Sequence, residues 1–142
     1  MISNPLYRTV AHPQQCDVMG HLNVREYMAM FDEASYQLLF DIFGWTGEDA
    51  LVNGVGFADI KHEIEYQAEV SAGQPIAITG KLTRIGGKSL ALTYEMINQV
   101  NGELAAKLDC ICVLFDTKAR KAMRIEGDYR ARAEAFIASN PV

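Results

Sequence analysis

Asp17 stands at the head of the segment Cys16-Asp17-Val18-Met19-Gly20-His21-Leu22-Asn23-Val24-Arg25-Glu26-Tyr27, in a loop that holds a glycine and leads into a helix start. The first N–H groups of a helix have no intrahelical acceptors and carry a partial positive charge. Such groups polarise a carbonyl and hold the oxyanion that forms when it is attacked. A carboxylate beside them activates water or attacks directly. The combination suits a thioester, because a thiol of pKa about 8.5 departs without strong protonation. Hydrolysis of an amide would need a further group to protonate the amine.

Each residue also has a plainer role. Asp17 could cap the N–H groups of its own loop. Gly20 permits an unusual backbone conformation or a close ligand approach. His21 lines the site or fixes the loop. Asn23 is an N-cap, which is compatible with presenting a helix N-terminus to substrate. Tyr27 belongs to the core, with its hydroxyl toward the pocket. His62, on the apolar face of a strand, reads as a core or pocket-edge histidine. Glu33, on the helix, is the reserve candidate for the catalytic acid.

The elements that must position these residues follow from periodicity. Tyr7 to Ala11 is a first strand closed by Pro13. A long helix is expected within Asn23 to Phe43, with Asn23 and Glu26 forming a capping box. Val24, Tyr27, Met28, Phe31, Ala34, Leu38 and Ile42 form its buried stripe, and Gly44 stops it. Trp45 to Gly56 is irregular, with one helical turn near Glu48 to Val52. Ile60 to Val70 alternates, placing Ile60, His62, Ile64, Tyr66, Ala68 and Val70 on a dry face. Strands at Ile76 to Ile85, Ser89 to Gln99 and Leu104 to Phe115 follow, joined by turns at Gly86-Gly87 and Asn101-Gly102. A short helix near Tyr129 to Ile137 closes the chain. One long helix and an antiparallel sheet with one dry face give an α+β domain over residues 1–142, a five-stranded sheet wrapped around a central helix. The stretch Ile111 to Phe115, apolar on both faces, marks a central strand or a subunit contact.

The pattern Asp17-x-x-Gly20-His21-x-Asn23-x-x-x-Tyr27, with this order of elements, resembles the 4-hydroxybenzoyl-CoA-thioesterase-like hot-dog proteins over nearly the whole chain. The resemblance implies an acyl-CoA thioesterase with Asp17 as nucleophile or general base. It implies that backbone N–H groups near Val24 hold the thioester carbonyl. Gly20, His21, Asn23, Tyr27 and His62 then complete the substrate site. It also implies that Lys88 and Ser89, after the Gly86-Gly87 turn, meet the nucleotide end of coenzyme A, and Arg84 and Lys88 read as point charges for its phosphates. Two positions depart from the family pattern: Gln15, where many members carry a second acid, and Val24, where many carry a second asparagine.

Other classes fit less well. The formal net charge of −5 argues against broad nucleic-acid binding. No apolar run approaches transmembrane length, and residues 1–5 carry no export signal, so no membrane association is expected. Three cysteines, Cys16, Cys110 and Cys112, point to a reducing, cytoplasmic setting without disulfides. His12, Cys16 and His21 match no zinc spacing, and Cys110 and Cys112 alternate into a core, so no metal or other cofactor is expected. Gly86-Gly87-Lys88-Ser89 is no phosphate loop, because Leu82 replaces its first glycine and a strand follows. Edge strands that need cover imply a homodimer or homotetramer. The alternatives are a non-catalytic acyl-CoA-binding hot-dog protein and an enoyl-CoA hydratase or dehydratase. The latter uses a histidine along the long helix, which this helix has only at its very start.

Overall fold

The computed structural model describes residues 2 and 4–141. Met1 and Ser3, within the stretch expected to carry no export signal, lie outside the described residues. The elements are β1 (Tyr7–Val10), α1 (Val24–Phe43), β2 (Val55–Tyr66), β3 (Pro75–Ile85), β4 (Ser89–Asn98), β5 (Leu104–Asp116), β6 (Lys121–Ala122) and α2 (Gly127–Ser139). A 3-10 turn at Pro13–Gln15 and a π-helical turn at Asp49–Asn53 join them. The sheet runs β1-β3-β4-β5-β2, with the unexpected sixth strand β6 paired to β5. Backbone bonds Gly86 N–H to Ser89 O, Asn98 N–H to Glu103 O and Thr117 N–H to Gly54 O fix antiparallel neighbours. Tyr7 pairs with Ile78 and Val10 with Pro75 on the far edge. This is the α+β hot-dog arrangement, one long helix with an antiparallel sheet.

Packing divides the chain into two compact units. The first comprises Met1–Gln37, Ile64–Gly80 and Tyr94–Leu108; the second comprises Leu38–Glu63, Lys81–Thr93 and Asp109–Val142. In the first, Tyr27, Met30, Phe31 and Ala34 of α1 are buried along with Ile76, Ile78, Tyr94 and Met96. The Phe31 and Tyr94 rings lie 6.3 Å apart. In the second, Leu38, Ile42 and Phe43 are buried with Leu90, Leu92 and Leu114. Phe43 stacks on Phe57 at 5.4 Å. β4 alternates strictly, burying Leu90, Leu92, Tyr94, Met96 and Asn98. The buried amide of Asn98 donates to Gln74 Oε1 and accepts from Val100 N–H, so its polar atoms are satisfied.

Three expectations need correction. Val24 is 62% exposed and is no part of the buried stripe. The outer face of α1 also leaves Tyr36 and Phe40 half exposed. The expected strand at Ile60 to Val70 starts earlier and ends at Tyr66. Its middle is exposed on both faces, Ile60 by 64%, because β2 is the last strand of the sheet. The position in the sheet overrides the alternating pattern here. Finally, Glu26 does not close a capping box. The Asn23 N–H goes to the Gln15 carbonyl at 2.9 Å, and the Glu26 carboxylate meets the Gln15 amide at 3.5 Å.

Candidate active site

The Asp17 loop is a tight turn built by its first and last residues. Gly20 N–H donates to Asp17 O at 3.0 Å, and Asp17 N–H donates to His21 O at 2.8 Å. Gly20 has φ +79°, a left-handed conformation that a side chain resists. The Asp17 side chain folds back over the turn. Its Oδ1 accepts the Met19 N–H at 2.9 Å and the His21 N–H at 3.2 Å. No described residue donates to Oδ2. One oxygen therefore holds the loop while the other stays available.

The loop is stitched to the segment after β2. Leu22 N–H reaches Val70 O at 2.7 Å, and Ala72 N–H reaches Gly20 O at 3.1 Å. Just before that segment, Gln67 N–H and Ala68 N–H both donate to Ala105 O, at 2.8 and 3.2 Å. Two residues opposite one make a bulge, which bends the strand and re-aims its side chains. On the other side, Asn23 caps α1 by accepting the Arg25 N–H at 3.3 Å. The Val24 N–H, one residue earlier, has no acceptor among the described residues.

Together these segments line a cleft of about 320 Å3. Asp17, His21, Val24 and Tyr27 line it from the loop and the helix, and Tyr66 and Glu69 from the bulge region. The His21 Nε2 lies 3.2 Å from Glu69 Oε2, which fixes the imidazole. Tyr27 meets Tyr66 edge-on, with ring centroids 5.1 Å apart. Burial raises the Tyr27 hydroxyl pKa first, and Tyr66, Glu69, Asp17 and Cys16 push it further up. Tyr27 is thus a neutral hydrogen-bond donor at ordinary pH.

The structure brings together Asp17, His21, Val24 and Tyr27, and sets Gly20 and Asn23 in the backbone that frames them. It does not bring His62 to this cleft: His62 belongs to the second unit, with Nε2 3.6 Å from Asp59 Oδ2. Glu33 is not among the lining residues either. It faces Tyr7, whose hydroxyl pKa is raised by burial and then by this carboxylate. Arg84, Lys88 and Ser89 also sit in the second unit. Arg84 borders a separate cleft of about 250 Å3. The turn between them is held by Gly86 N–H to Ser89 O at 2.7 Å and Leu114 N–H to Lys88 O at 3.0 Å. Arg130 clamps the same turn, donating from Nη2 to Gly86 O at 2.6 Å and from Nε to Ile125 O at 2.7 Å. Sequence reasoning misses Arg130, Tyr66 and Glu69. Nothing local marks them, since alternation runs unbroken through the bulge and Arg130 lies 44 residues from its acceptor.

Comparison with known proteins gives a consistent result. The family model described as the thioesterase-like superfamily matches residues 11–133. The long-chain acyl-CoA thioesterase FadM of Escherichia coli is 26% identical over 123 residues, 85% of this chain and 90% of its own length. A Staphylococcus aureus protein solved in complex with CoA superposes with a TM-score of 0.88 at 14% identity, covering 100% of this chain and 89% of that one. The DHNA-CoA thioesterase of Staphylococcus aureus superposes with a TM-score of 0.80 at 15% identity, covering 96% and 94%. Among the described residues, no helix is long and apolar enough to cross a membrane.

Proposed function

The chain belongs to the thioesterase-like superfamily, and on that premise we propose that it hydrolyses an acyl-CoA thioester to the free acid and CoA, with Asp17 as the catalytic carboxylate. The observation that carries this reading is the division of labour on Asp17. Oδ1 is held by two backbone N–H groups, no described residue donates to Oδ2, and Asp17 lines a cleft beside a helix N-terminus. In our reading the thioester carbonyl points at the Val24 N–H, which supplies the oxyanion contact. Oδ2 then either attacks the carbonyl carbon or takes a proton from the attacking water. Collapse of the tetrahedral adduct breaks the C–S bond, and the thiolate leaves without an acid; where Asp17 has attacked directly, water then hydrolyses the resulting Asp17 anhydride to the free acid and restores the carboxylate.

The rest of the site acts by positioning. Gly20 and Asn23 set the loop and the helix start. His21, oriented by Glu69, and the neutral Tyr27 border the acyl or pantetheine arm. His62 is assigned no contact here, since it does not line the cleft. Arg84, Lys88 and Ser89 remain our assignment for the nucleotide end of CoA; Lys88 is exposed and the turn that presents it is rigidly held. We assign one domain over residues 1–142, and a homodimer or homotetramer in which a second copy covers the exposed edge at Ile60. Three free thiols support a cytoplasmic setting.

One observation favours a second reading. The two hydrogen bonds to Asp17 Oδ1 are also what a purely loop-capping aspartate would make, as in a non-catalytic acyl-CoA-binding protein. Free-thiol release separates the two. With a panel of long-chain, short-chain and aromatic acyl-CoAs, enzyme-dependent release from at least one member is expected. Binding of the panel without release from any member would overturn the catalytic reading.

A further inference from the structure

The second unit holds a cluster that no motif in the sequence announces. Asp59 and His62 of β2 and Cys110 of β5 place one ligand atom each within 4.8 Å of one another. The Asp59 carboxylate stands 3.6 Å from the His62 Nε2 and 3.6 Å from the Cys110 Sγ. Residues three apart on a regular strand point to opposite faces. Here they converge on one cluster. Between the Thr117 to Gly54 bond and the Gln67 to Ala105 bond, β2 advances 13 residues (67 minus 54) while β5 retreats 12 (117 minus 105). One extra residue in that span is the mark of a bulge, which re-aims side chains.

We propose that Asp59, His62 and Cys110 bind a divalent ion of zinc-like character, with water in the fourth position. The donor set is one thiolate, one imidazole and one carboxylate, the three ligand types that zinc takes. Zinc bond lengths of about 2.0–2.3 Å and a tetrahedral angle put ligand atoms roughly 3.4–3.6 Å apart. His62 Nε2 stands 3.6 Å from Asp59 Oδ2 and Cys110 Sγ 3.6 Å from Asp59 Oδ1, and with one ligand atom from each residue all separations are within 4.8 Å. Side-chain rotation of Asp59 and His62 closes these separations to the zinc distances. The charges also balance: a dication, one thiolate and one carboxylate sum to zero, which suits a site backed by the buried Cys110 and Cys112. An ion here ties the edge strand to β5. On binding, the thiol proton passes to solvent as the Cys110–metal bond forms.

Cobalt(II) is the probe, since its thiolate bond gives a near-ultraviolet charge-transfer band. Metal-free protein titrated with Co2+ is expected to develop that band at one ion per chain, with the visible intensity of a tetrahedral ion, and Zn2+ should bleach it. Cys110→Ser should abolish the charge-transfer band, and His62→Ala should weaken Co2+ binding by more than about 10–100-fold, the usual cost of losing a partner that merely orients a ligand. Cys16→Ser should leave both unchanged. Because His62 is exposed, His62→Ala tests the site even if Cys110→Ser fails to fold. No band in the parent protein, or a band and affinity unchanged in His62→Ala, would overturn the assignment and leave a hydrogen-bonded Asp-His-Cys cluster. Thiol release by the metal-free protein is scored separately, so this result stands apart from the thioesterase reading.

Discussion

The Asp17 loop and the Gly86–Ser89 turn are both short glycine-containing connections, yet the side chain that locks each comes from a different place. The first is locked by its own side chain. Asp17 Oδ1, the backbone of His21 and the left-handed Gly20 close it over five residues. The second closes with Gly86 N–H to Ser89 O, but the side chain that locks it comes from outside, Arg130, together with the Leu114 and Ile125 N–H groups, which reach Lys88 and Gly87. A loop that locks itself can devote its own side chain to chemistry, because the same carboxylate both closes the turn and faces the cleft. A turn locked by distant residues leaves its own side chains free to meet a ligand. The difference teaches that the first loop's function cannot be separated from its conformation, whereas the second's can.

Substitutions can break that comparison. The largest effect is expected for Asp17→Ala, which removes the carboxylate and the turn closure together. Turnover should fall by at least the roughly 10²–10⁴-fold that acid–base assistance supplies, and stability should drop by about 1 kcal/mol for the lost cap. Thiol-release kinetics and denaturant unfolding measure the two parts. A stability loss with unchanged turnover would make Asp17 a loop staple alone. Next comes Arg130→Ala, which strips hydrogen bonds from two backbone carbonyls. A loss of about 1.5–3 kcal/mol in urea unfolding is expected, the range for bonds made by a charged donor. KM for acyl-CoA should rise with it, because the turn loses its support. An unchanged unfolding midpoint would show that the backbone bonds hold the turn alone. The smallest effect is expected for Lys88→Ala. One exposed charge contributes up to about 1 kcal/mol, so KM should rise by up to about fivefold with kcat unchanged. An unaltered KM would remove Lys88 from the nucleotide-binding assignment.

The same contrast explains what the sequence reveals. The Asp17 loop is legible because its determinants are contiguous: Asp, Gly and Asn at fixed spacing before a helix. The helix, the hairpin turns at Gly86 and Gly102 and the alternation of β4 are legible for the same reason, each being a local pattern. β2 is not. Its residues alternate as a half-buried strand should, but its place at the sheet edge exposes both faces, and no local pattern encodes that place. Nor does spacing disclose the bulge at Gln67 and Ala68 or the meeting of Asp59, His62 and Cys110. Each depends on a partner strand about 40–50 residues away. Glu69 and Tyr66 enter the cleft only because of that bulge.

The central claim is that Asp17, and not the helix acid Glu33, does the chemistry. Asp17→Asn isolates it, since the amide oxygen still accepts the Met19 and His21 N–H groups and the turn survives. Single-turnover thiol release should be compared for the parent protein, Asp17→Asn and Glu33→Gln, alongside acyl-CoA binding. The expected result is a fall of roughly 10²–10⁴-fold or more for Asp17→Asn with binding retained, and near-parental turnover for Glu33→Gln. Near-parental turnover in Asp17→Asn, with activity abolished in Glu33→Gln, would contradict the account.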